Sequence, residues 1–323
     1  MKAFVTGGSG FVGGHLIPRL LAEGHAVIAL ARSETAAERV SSLGAEVAHG
    51  DLADRDRLVD AMSDSDVVFH CAAIVGSHVD TEDARATNIV GTANVVDAAN
   101  EAPARRLVHL STESVLLDGR PLDGVDESLP VPDHGHLSVY AATKAAAERI
   151  VRSANGEQLE TIAIRPRLIW GPGDTTWLPG LVQKVDAGVF RWVDGGRHLG
   201  STCHVRNVVE ALVLASDRGV PGSVYFVTDG PPRPFREFAE AYLATAGVDA
   251  GDRSVPGWLM GAMANVLERI WRFLPTNSPP PVCRVEAHMV SHPQVFDDSL
   301  ARSELGYRPV VTMNEGLAEL ERS

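Results

Sequence analysis

An apolar run at the start of the chain, residues 3–6, leads at once into a glycine-rich turn and then into a helical pattern. This order predicts a parallel strand, a turn and a helix whose first N–H groups point at a bound pyrophosphate. Gly7 permits the tight turn, Gly10 lets the backbone approach the phosphates, and Gly13 allows close packing of the helix on the strand. The GxxGxxG spacing at this position therefore indicates a dinucleotide site; the alternative is a turn that holds no ligand.

Strand and helix patterns alternate through the first two-thirds of the chain. Apolar runs rich in β-branched residues predict strands at residues 3–6, 26–31, 46–49, 67–71, 107–111 and 161–165. Helical spacing of apolar residues predicts helices at residues 11–23, 35–42, 54–62, 81–101 and 138–154. This alternation predicts an α/β fold with a doubly wound parallel Rossmann sheet that is covered on both faces.

The pattern loosens after residue 170, where glycine and proline mark loops. We predict a dinucleotide-binding domain over residues 1–170, with its sheet completed by residues 200–228, where a helix (205–217) and a strand (223–227) are expected. Residues 171–323 are predicted to form mainly a smaller C-terminal α/β region that binds the substrate.

The bulk composition excludes several other kinds of protein. The 323 residues carry a net charge of −13, and the acidic residues are spread along the chain, whereas a nucleic-acid surface needs a basic patch. Cys71, Cys203 and Cys283 lie far apart, so neither disulfides nor a metal site is expected, and a reduced, cytoplasmic compartment fits. No apolar stretch approaches the ~18 residues that would span a bilayer, so no integral membrane segment is expected.

The end of the second predicted strand bears on the choice of coenzyme. Enzymes that select NAD usually place a carboxylate here to bind the ribose hydroxyls, but Ala31 and Arg32 offer none. Arg32 can instead bind a 2′-phosphate through a charge-assisted hydrogen bond, so we predict NADP(H), with NAD as the alternative. Asp51 follows the third strand, where its carboxylate can bind the adenine amino group; its alternative role is a helix cap, for which Asp54 competes.

Tyr140 and Lys144 are four residues apart near the start of a predicted helix, so their side chains lie one turn apart on one face. A lysine ammonium beside a tyrosine stabilises the tyrosinate, lowers the tyrosine pKa and makes it an acid–base group. The same ammonium can bind the hydroxyls of a nicotinamide ribose. A hydroxyl at the end of the fifth strand, from Thr112 or else from Ser111, can bind the substrate oxygen.

Over most of its length the chain resembles the extended short-chain dehydrogenase/reductases. The motifs that carry the resemblance are TGGSGFVG at 6–13, GDL at 50–52, CAA at 71–73, Asn88, ST at 111–112, YAATK at 140–144 and RPRLIWGPGD at 165–174. Within that superfamily the chain is most similar to the 3β-hydroxysteroid dehydrogenase and dihydroflavonol reductase branches. The resemblance implies an oxidoreductase that reduces a ketone, or oxidises the alcohol, with Thr112 holding the substrate oxygen, Tyr140 as acid or base, and Lys144 as its activator.

The resemblance also implies coenzyme contacts and an assembly. Ala72 and Ala73 match backbone beside the adenosine ribose, and Pro166 begins the loop that covers the nicotinamide in such proteins. Together with the residues argued from the strand ends, the predicted coenzyme set is Gly7, Ser9, Gly10, Phe11, Val12, Gly13, Arg32, Asp51, Leu52, Ala72, Ala73, Tyr140, Lys144 and Pro166. Helices near 81–101 and 138–154 pair across a two-fold axis in this superfamily, which implies a homodimer.

The C-terminal region supplies apolar bulk for a substrate. Apolar residues recur at helical spacing over residues 257–274, which predicts an amphipathic helix. This helix packs as plain core, covers an apolar substrate as a lid, or forms a membrane-surface patch. Trp170, Trp177 and Trp192 add apolar bulk in neighbouring loops. We therefore predict a hydrophobic small-molecule substrate, a ketone or alcohol of the steroid, polyketide or lipid kind.

Several roles and two other functions stay open. Glu113 either touches the substrate or faces solvent, Arg206 either binds an anion or pairs with a carboxylate, and His136 can reach the site from its loop. One alternative function is a nucleotide-sugar epimerase or dehydratase with tightly held NAD, against which the lack of a carboxylate after the second strand argues. The other is a non-catalytic dinucleotide sensor, against which the presence of both Tyr140 and Lys144 argues.

Overall fold

The computed structural model describes residues 1–76, 79–102, 104–271 and 282–322. Apolar runs with β-branched side chains form the longer strands, as the sequence pattern predicts. In chain order the strands are β1 (Lys2–Thr6), β2 (Ala26–Ala31), β3 (Glu46–His49), β4 (Val67–His70), β5 (Arg106–Leu110), β6 (Leu122–Val125), β7 (Glu160–Pro166), β8 (Ile169–Trp170), β9 (Trp192–Val193), β10 (Leu199–Gly200), β11 (Cys203–His204), β12 (Val224–Val227), β13 (Arg233–Pro234), β14 (Ser254–Val255) and β15 (Gln294–Phe296).

Helices connect these strands, and most of them bury one apolar face. They are α1 (Phe11–Ala22), α2 (Glu34–Ser42), α3 (Arg55–Met62), α4 (Thr81–Arg85), α5 (Thr92–Glu101), α6 (Val139–Ser153), α7 (Trp177–Asp186), α8 (Val205–Arg218), α9 (Phe235–Ala244), α10 (Gly257–Trp271), α11 (Arg284–Ser291) and α12 (Met313–Leu320). Single turns of π-helix lie at Ala86–Gly91 and Ala301–Leu305, and 3-10 turns at Glu113–Leu116 and Asp194–Gly196.

Within the described residues, seven parallel strands form the central sheet in the order β12-β7-β5-β4-β1-β2-β3. The chain runs outward from β1 to β3 and then crosses back to place β4 on the other side of β1. The resulting switch point lies between β1 and β4, whose register pairs Thr6 with His70. Because ligands of open α/β sheets bind at the carboxyl ends of strands beside such a point, this geometry locates the site.

Alternate side chains of the central strands point to opposite faces of the sheet, and each face packs against helices. Ala3 and Val5 of β1 lie in an apolar cluster with α1 and α8, whereas Phe4 between them packs with α3 and α5 on the other face. Both clusters are buried, which is why the strands are apolar at nearly every position. The predicted doubly wound Rossmann sheet is thereby confirmed.

A second, smaller sheet joins segments that are far apart in the sequence. In the part of the chain that the structure describes, it has four strands in the order β13-β10-β15-β6. The sequence pattern did not predict it, because each strand is only two to four residues long. Since β6 precedes residue 170 and β15 follows residue 290, the two regions of the chain interleave.

The helix predicted over 81–101 is divided by the π-helical turn at Ala86–Gly91. Asn88 in that turn is buried; its side-chain oxygen accepts from Ile74 N at 2.8 Å, and its nitrogen donates to Thr143 Oγ1 at 3.0 Å. Asn88 in this π turn therefore connects the backbone that follows β4 to α6. The helix predicted over 257–274 runs over Gly257–Trp271, and residues 272–274 lie outside the described residues. None of the described helices is long and apolar enough to cross a membrane.

Candidate active site

A cavity of about 1520 Å³ opens at the carboxyl ends of the central strands, beside the switch point. All of the residues predicted for coenzyme binding and for catalysis line it, together with part of the C-terminal region. Those predicted residues are Gly7, Ser9, Gly10, Phe11, Val12, Gly13, Arg32, Asp51, Leu52, Ala72, Ala73, Thr112, Tyr140, Lys144 and Pro166. Sequence reasoning thus selected residues that the fold brings to one place.

Neighbouring backbone approaches the glycine turn so closely that Gly7 and Gly13 leave no room for a side chain. Gly7 has φ 71°, and a Cβ atom added to it would lie 2.7 Å from the backbone nitrogen of Ala72. A Cβ atom on Gly13 would lie 2.2 Å from the carbonyl oxygen of Gly7, so α1 can pack against the turn only with glycine here. Gly10 precedes α1 without any side-chain cap, which leaves the first N–H groups of a twelve-residue helix facing the cavity. This donor set fits a pyrophosphate.

Arg32 and Asp51 lie together at the edge of the cavity beyond β2 and β3. Arg32 Nε is 3.8 Å from Asp51 Oδ2, and the arginine side chain is 77% exposed. Asp51 also accepts a hydrogen bond from Ala53 N at 2.9 Å, while Asp54 caps α3 by accepting from Arg57 N. Asp54 therefore caps α3. Arg32 places an exposed positive charge where the adenosine ribose of a coenzyme is expected.

Tyr140 and Lys144 lie on the first turns of α6. Ser138 begins this helix by accepting a hydrogen bond from Ala141 N at 3.1 Å, which fixes where the helix starts and which face carries the two side chains. Lys144 is buried; its Nζ atom donates to Leu110 O at 2.7 Å and lies 3.1 Å from His109 Nε2. Burial lowers the pKa of Lys144 to about 8, which Glu148 partly opposes.

Thr112 follows β5 and faces the same part of the cavity. Its hydroxyl donates to Glu113 Oε2 at 2.7 Å, and its oxygen accepts from Ser114 N at 3.2 Å as the cap of the short 3-10 turn. Burial, and then the charge of Glu113, raise the pKa of Tyr140 far above its ordinary value, while a contact with Thr112 acts in the opposite direction. The lower tyrosine pKa predicted from the spacing of Tyr140 and Lys144 is therefore wrong for the site without ligands, where burial and the charge of Glu113 act in the opposite direction.

Ser111, the second candidate for the catalytic hydroxyl, has a different partner. Its Oγ atom donates to Glu148 Oε2 at 2.6 Å, and Glu148 also forms a buried ion pair with Arg165. Both hydroxyls donate to a buried carboxylate, Ser111 to Glu148 and Thr112 to Glu113, but only Thr112 also contacts the Tyr140 side chain, which makes it the better placed of the two.

A pair of buried histidines lies behind Lys144 and was not selected as part of the site from the sequence. His70 and His109 face each other across β4 and β5 with ring centroids 5.1 Å apart. His70 is held by Thr6 Oγ1 at 2.7 Å and by Thr92 Oγ1 at 2.9 Å. Burial, followed by the charge of Lys144, lowers the pKa of His109 well below its ordinary value, so its neutral ring can accept from the lysine ammonium. The strand positions alone carry no signal for this contact.

The far wall of the cavity comes from the C-terminal region and is largely apolar. Met260, Met263 and Leu267 of α10 line it, as do Phe190 and Trp192 from the segment around β9. Other positions of α10 are exposed, with Trp258 at 76% and Val266 at 55%, and Met263, although it lines the cavity, is itself 43% exposed. The amphipathic helix predicted over 257–274 therefore borders the cavity with one face.

Three residues considered from the sequence lie elsewhere. Arg206 pairs at the surface with Glu319. His136 contacts the carbonyl oxygen of Val115 at 3.1 Å. Trp170 is buried in an aromatic cluster and donates to Asp229, whereas Trp177 and Trp192 line the cavity. Asn88, one of the motif residues, joins α6 to the backbone that follows β4.

Two close relatives are reductases. The chain is 44% identical over 323 residues to a 4-hydroxy-2-methyl-3-oxo-4-farnesyl-3,4-dihydroquinoline-1-oxide ketoreductase from Stigmatella aurantiaca, covering 100% of this chain and 96% of that protein. It is 35% identical to a 2-alkyl-3-oxoalkanoate reductase from Stenotrophomonas maltophilia, covering 100% and 99%.

Solved structures extend the likeness to more distant proteins. A dTDP-glucose 4,6-dehydratase double mutant from Streptomyces venezuelae, with NAD bound, superposes with a TM-score of 0.77 at 24% identity and covers 100% of this chain and 96% of its own. At that identity the likeness shows a shared fold. It agrees with the seven-stranded parallel sheet of this chain.

The profile of one protein family spans most of the chain. It matches residues 4–256, a stretch that runs from β1 through β14 and contains the glycine turn and the Thr112–Tyr140–Lys144 group. Relatives that are similar over the full length of the chain accompany this match. The chain belongs to the 3-beta hydroxysteroid dehydrogenase/isomerase family.

Proposed function

We propose that this protein is an NADP(H)-dependent ketone reductase that acts on a hydrophobic small molecule and, in reverse, oxidises the corresponding alcohol. The observation that carries the proposal is a single cavity in which the glycine turn, the Thr112–Tyr140–Lys144 group and an apolar wall from α10 meet. A dinucleotide and an apolar substrate can thus lie in one continuous cavity, beside the acid–base group of the protein. The names of the two close relatives, both reductases of ketones, support this assignment.

The glycine turn and the N-terminus of α1 would hold the pyrophosphate, and the strand-end residues around it would hold the adenosine half. Arg32 would bind the 2′-phosphate, which it can do without leaving the edge of the cavity. Ala72, Ala73 and Leu52 would line the adenosine side, and Pro166 would stand near the nicotinamide. When bound, the coenzyme supplies the hydride that reduces the ketone carbon.

The protein's own residues would manage the proton and the substrate oxygen. Tyr140 donates its phenolic proton to the ketone oxygen, and Thr112 holds that oxygen by a hydrogen bond, a fixed donor of the kind that is worth about 3–4 kcal/mol in related sites. Lys144 would place a positive charge on the same helix face as the tyrosine, which favours the tyrosinate that remains. With a pKa of about 8, Lys144 is mostly charged near neutral pH.

The substrate class can be narrowed by chemistry that the two relatives share. In both names the ketone stands beside a carbon that carries a hydrocarbon group, a farnesyl chain in one and an alkyl group in the other. The apolar wall formed by Met260, Met263 and Leu267 offers a place for such a group. We therefore propose a ketone whose neighbouring carbon bears a long alkyl or prenyl chain, with residues 171–323 forming most of its binding surface.

The first experiment is a fluorescence titration of purified protein with NADPH and NADH, after any co-purified nucleotide has been identified. Binding of NADPH to an initially empty site, followed by NADPH-dependent reduction of 2-alkyl-3-oxoalkanoates, is the expected result. Tyr140→Phe should bind NADPH as the wild type does and lose reduction by ~100-fold or more. NAD carried through purification, with nucleotide sugars converted and alkyl ketones untouched, would instead favour an epimerase or dehydratase.

We also propose that the protein is a homodimer, paired through the helices at Thr92–Glu101 and Val139–Ser153 as the superfamily resemblance implies. Light scattering during size-exclusion chromatography tests this directly. A mass of a single chain across a wide range of protein concentrations would contradict it.

A further inference from the structure

Glu113 directly follows Thr112 and turns its carboxylate inward. The residue is 3% exposed and lines the cavity. Its Oε2 atom accepts from Thr112 Oγ1 at 2.7 Å, and its Oε1 atom accepts from Ser114 Oγ at 3.4 Å. A buried carboxylate thus lies in contact with the hydroxyl that the proposed function assigns to the substrate oxygen.

The hydroxyl of Thr112 can donate one hydrogen bond, and an ionised Glu113 accepts it. The oxygen of Thr112 then has only lone pairs left, one of which already accepts from Ser114 N. A ketone oxygen is itself a hydrogen-bond acceptor. Two acceptor oxygens, that of Thr112 and that of the substrate, would therefore face each other with no proton between them. In this state Thr112 cannot support the reaction in the way that a preorganised donor does.

We propose that the proton on Glu113 decides whether Thr112 donates or accepts at the substrate oxygen, and that ketone reduction uses the form in which Glu113 is protonated. This inference rests on the proposed function. The protonated carboxyl donates its O–H to Thr112 Oγ1, and the hydroxyl proton of Thr112 is released toward the ketone oxygen. Because Glu113 acts through Thr112, it is a positioning residue for the reaction.

The surroundings of Glu113 make its neutral form accessible. Burial raises its pKa above the ordinary value for a glutamate, and the positive charge of Arg167 opposes this. The Arg167 guanidinium is only partly hydrogen-bonded: Nη1 donates to Ser201 O at 2.7 Å, and Nε has no hydrogen-bond partner among the described residues. Tyr140 faces Glu113 from α6, and an ionised Glu113 makes loss of the phenolic proton harder.

Two further titratable groups lie around the same 3-10 turn. Lys144 lines the cavity one turn along α6 from Tyr140, and His136 contacts the Val115 carbonyl within the turn itself. Burial lowers the pKa of both side chains, to about 8 for Lys144. The direction of the effect on reduction follows from Glu113: reduction proceeds below the pKa of Glu113 and is lost as the pH rises above it.

The pH dependence of kcat/KM for ketone reduction tests the inference. In the wild type we expect a limb on which kcat/KM falls about tenfold per pH unit above the pKa of Glu113. Glu113→Gln keeps the shape of the side chain, never ionises, and can donate an amide hydrogen to Thr112. Its profile should lack that limb, whatever its maximal rate. Glu113→Met, which cannot hold the threonine proton at all, should lack it too and serves if the glutamine variant does not fold.

A spectroscopic titration tests the same coupling without turnover. Tyrosinate absorbance is recorded against pH for the wild type and for Glu113→Gln, with Tyr140→Phe identifying the contribution of Tyr140. Removing the neighbouring negative charge should lower the pKa at which Tyr140 ionises. An unchanged tyrosine titration, or a glutamine variant that keeps the wild-type limb, overturns the inference. A wild type that reduces no ketone at any pH would instead contradict the proposed function. The absorbance titration would then still test whether the charge of Glu113 affects the pKa of Tyr140.

Discussion

Arg165 Nε donates to Glu148 Oε2 at 2.8 Å, and the side chains of both residues are only 1% exposed. This ion pair joins β7 to α6, the helix that carries Tyr140 and Lys144, and Glu148 also accepts the proton of Ser111. A buried charge left without its partner is costly, whereas replacing both charges by apolar groups often is not.

Glu148→Met should therefore lower the free energy of unfolding by about 3–5 kcal/mol, because it strands the Arg165 guanidinium in the core. The double variant Glu148→Met with Arg165→Met should recover much of that loss. Urea unfolding monitored by circular dichroism measures both. A double variant that is less stable than the single one would show that the pair itself, rather than the unpaired charge, governs stability.

The buried Lys144 should make the difference in unfolding free energy between the wild type and Lys144→Met depend on pH. Its pKa is about 8 in the folded protein, below its ordinary value of 10.5, because burial disfavours the charged form. Below pH 8 the lysine is charged in both folded and unfolded chains, so the whole cost of burial is present. Between pH 8 and 10.5 the unfolded chain holds the proton and the folded one does not, so the stability of the wild type rises with pH relative to Lys144→Met.

The test is the difference in unfolding free energy between wild type and Lys144→Met, measured at several pH values without coenzyme. Over the whole window the change should reach about 1.4 kcal/mol for each unit by which the pKa is lowered. Lys2→Met, which removes an ammonium that pairs with Asp64 near the surface, is the matched control. The same difference at pH 7 and at pH 10 would contradict a charged, buried Lys144.

Gly13 tests the packing of the glycine turn. An alanine Cβ there would lie 2.2 Å from the carbonyl oxygen of Gly7, and a backbone atom cannot move aside without moving the turn. Gly13→Ala should destabilise the fold by about 1–3 kcal/mol and weaken NADPH binding at least tenfold. Gly156→Ala, where the added Cβ would lie within 4 Å of no described heavy atom beyond the glycine and its chain neighbours, should do neither. Normal NADPH affinity in Gly13→Ala would mean that the turn does not bind the pyrophosphate.

Arg32 tests coenzyme choice. A hydrogen bond to a charged group is worth about 1.5–3 kcal/mol, so Arg32→Ala should weaken NADPH binding by about tenfold to a hundredfold. NADH has no 2′-phosphate, and its affinity should change little. Arg206→Ala removes an exposed arginine that pairs with Glu319 away from the cavity and should affect neither coenzyme. Equal losses for NADPH and NADH would rule out a contact between Arg32 and the 2′-phosphate.

The two faces of α10 test where the hydrocarbon chain binds. Met260 lines the cavity, whereas Val266 is 55% exposed on the same helix. Met260→Gln should raise KM for a long-chain ketone about tenfold, since burying an amide beside a hydrocarbon costs about 1–3 kcal/mol. Val266→Gln should leave KM unchanged, and NADPH affinity should be the same in both. Equal effects of the two substitutions would show that α10 does not contact the substrate through its inner face.

Local patterns in the sequence determined the parts of the fold that depend on neighbouring residues. Continuous apolar runs predicted the central strands because both faces of a parallel sheet are buried, and glycines at 7, 10 and 13 predicted the turn because each is needed within that segment. The spacing of Tyr140 and Lys144 predicted a shared helix face for the same reason. These features rest on φ angles, side-chain periodicity and helix geometry, which a short stretch of chain carries by itself.

Contacts between distant parts of the chain decided the rest. The π-helical turn around Asn88 depends on Ile74 and Thr143, and β6 pairs with β15 across more than half of the sequence. The burial of Glu113 beside Arg167 and the lining of the cavity by Met260 likewise follow from packing between distant segments of the chain. The sequence by itself therefore determined the sheet, the dinucleotide turn and the spacing of the acid–base pair. Only the tertiary structure decided which groups surround the substrate oxygen, because those groups meet through long-range burial and hydrogen bonding.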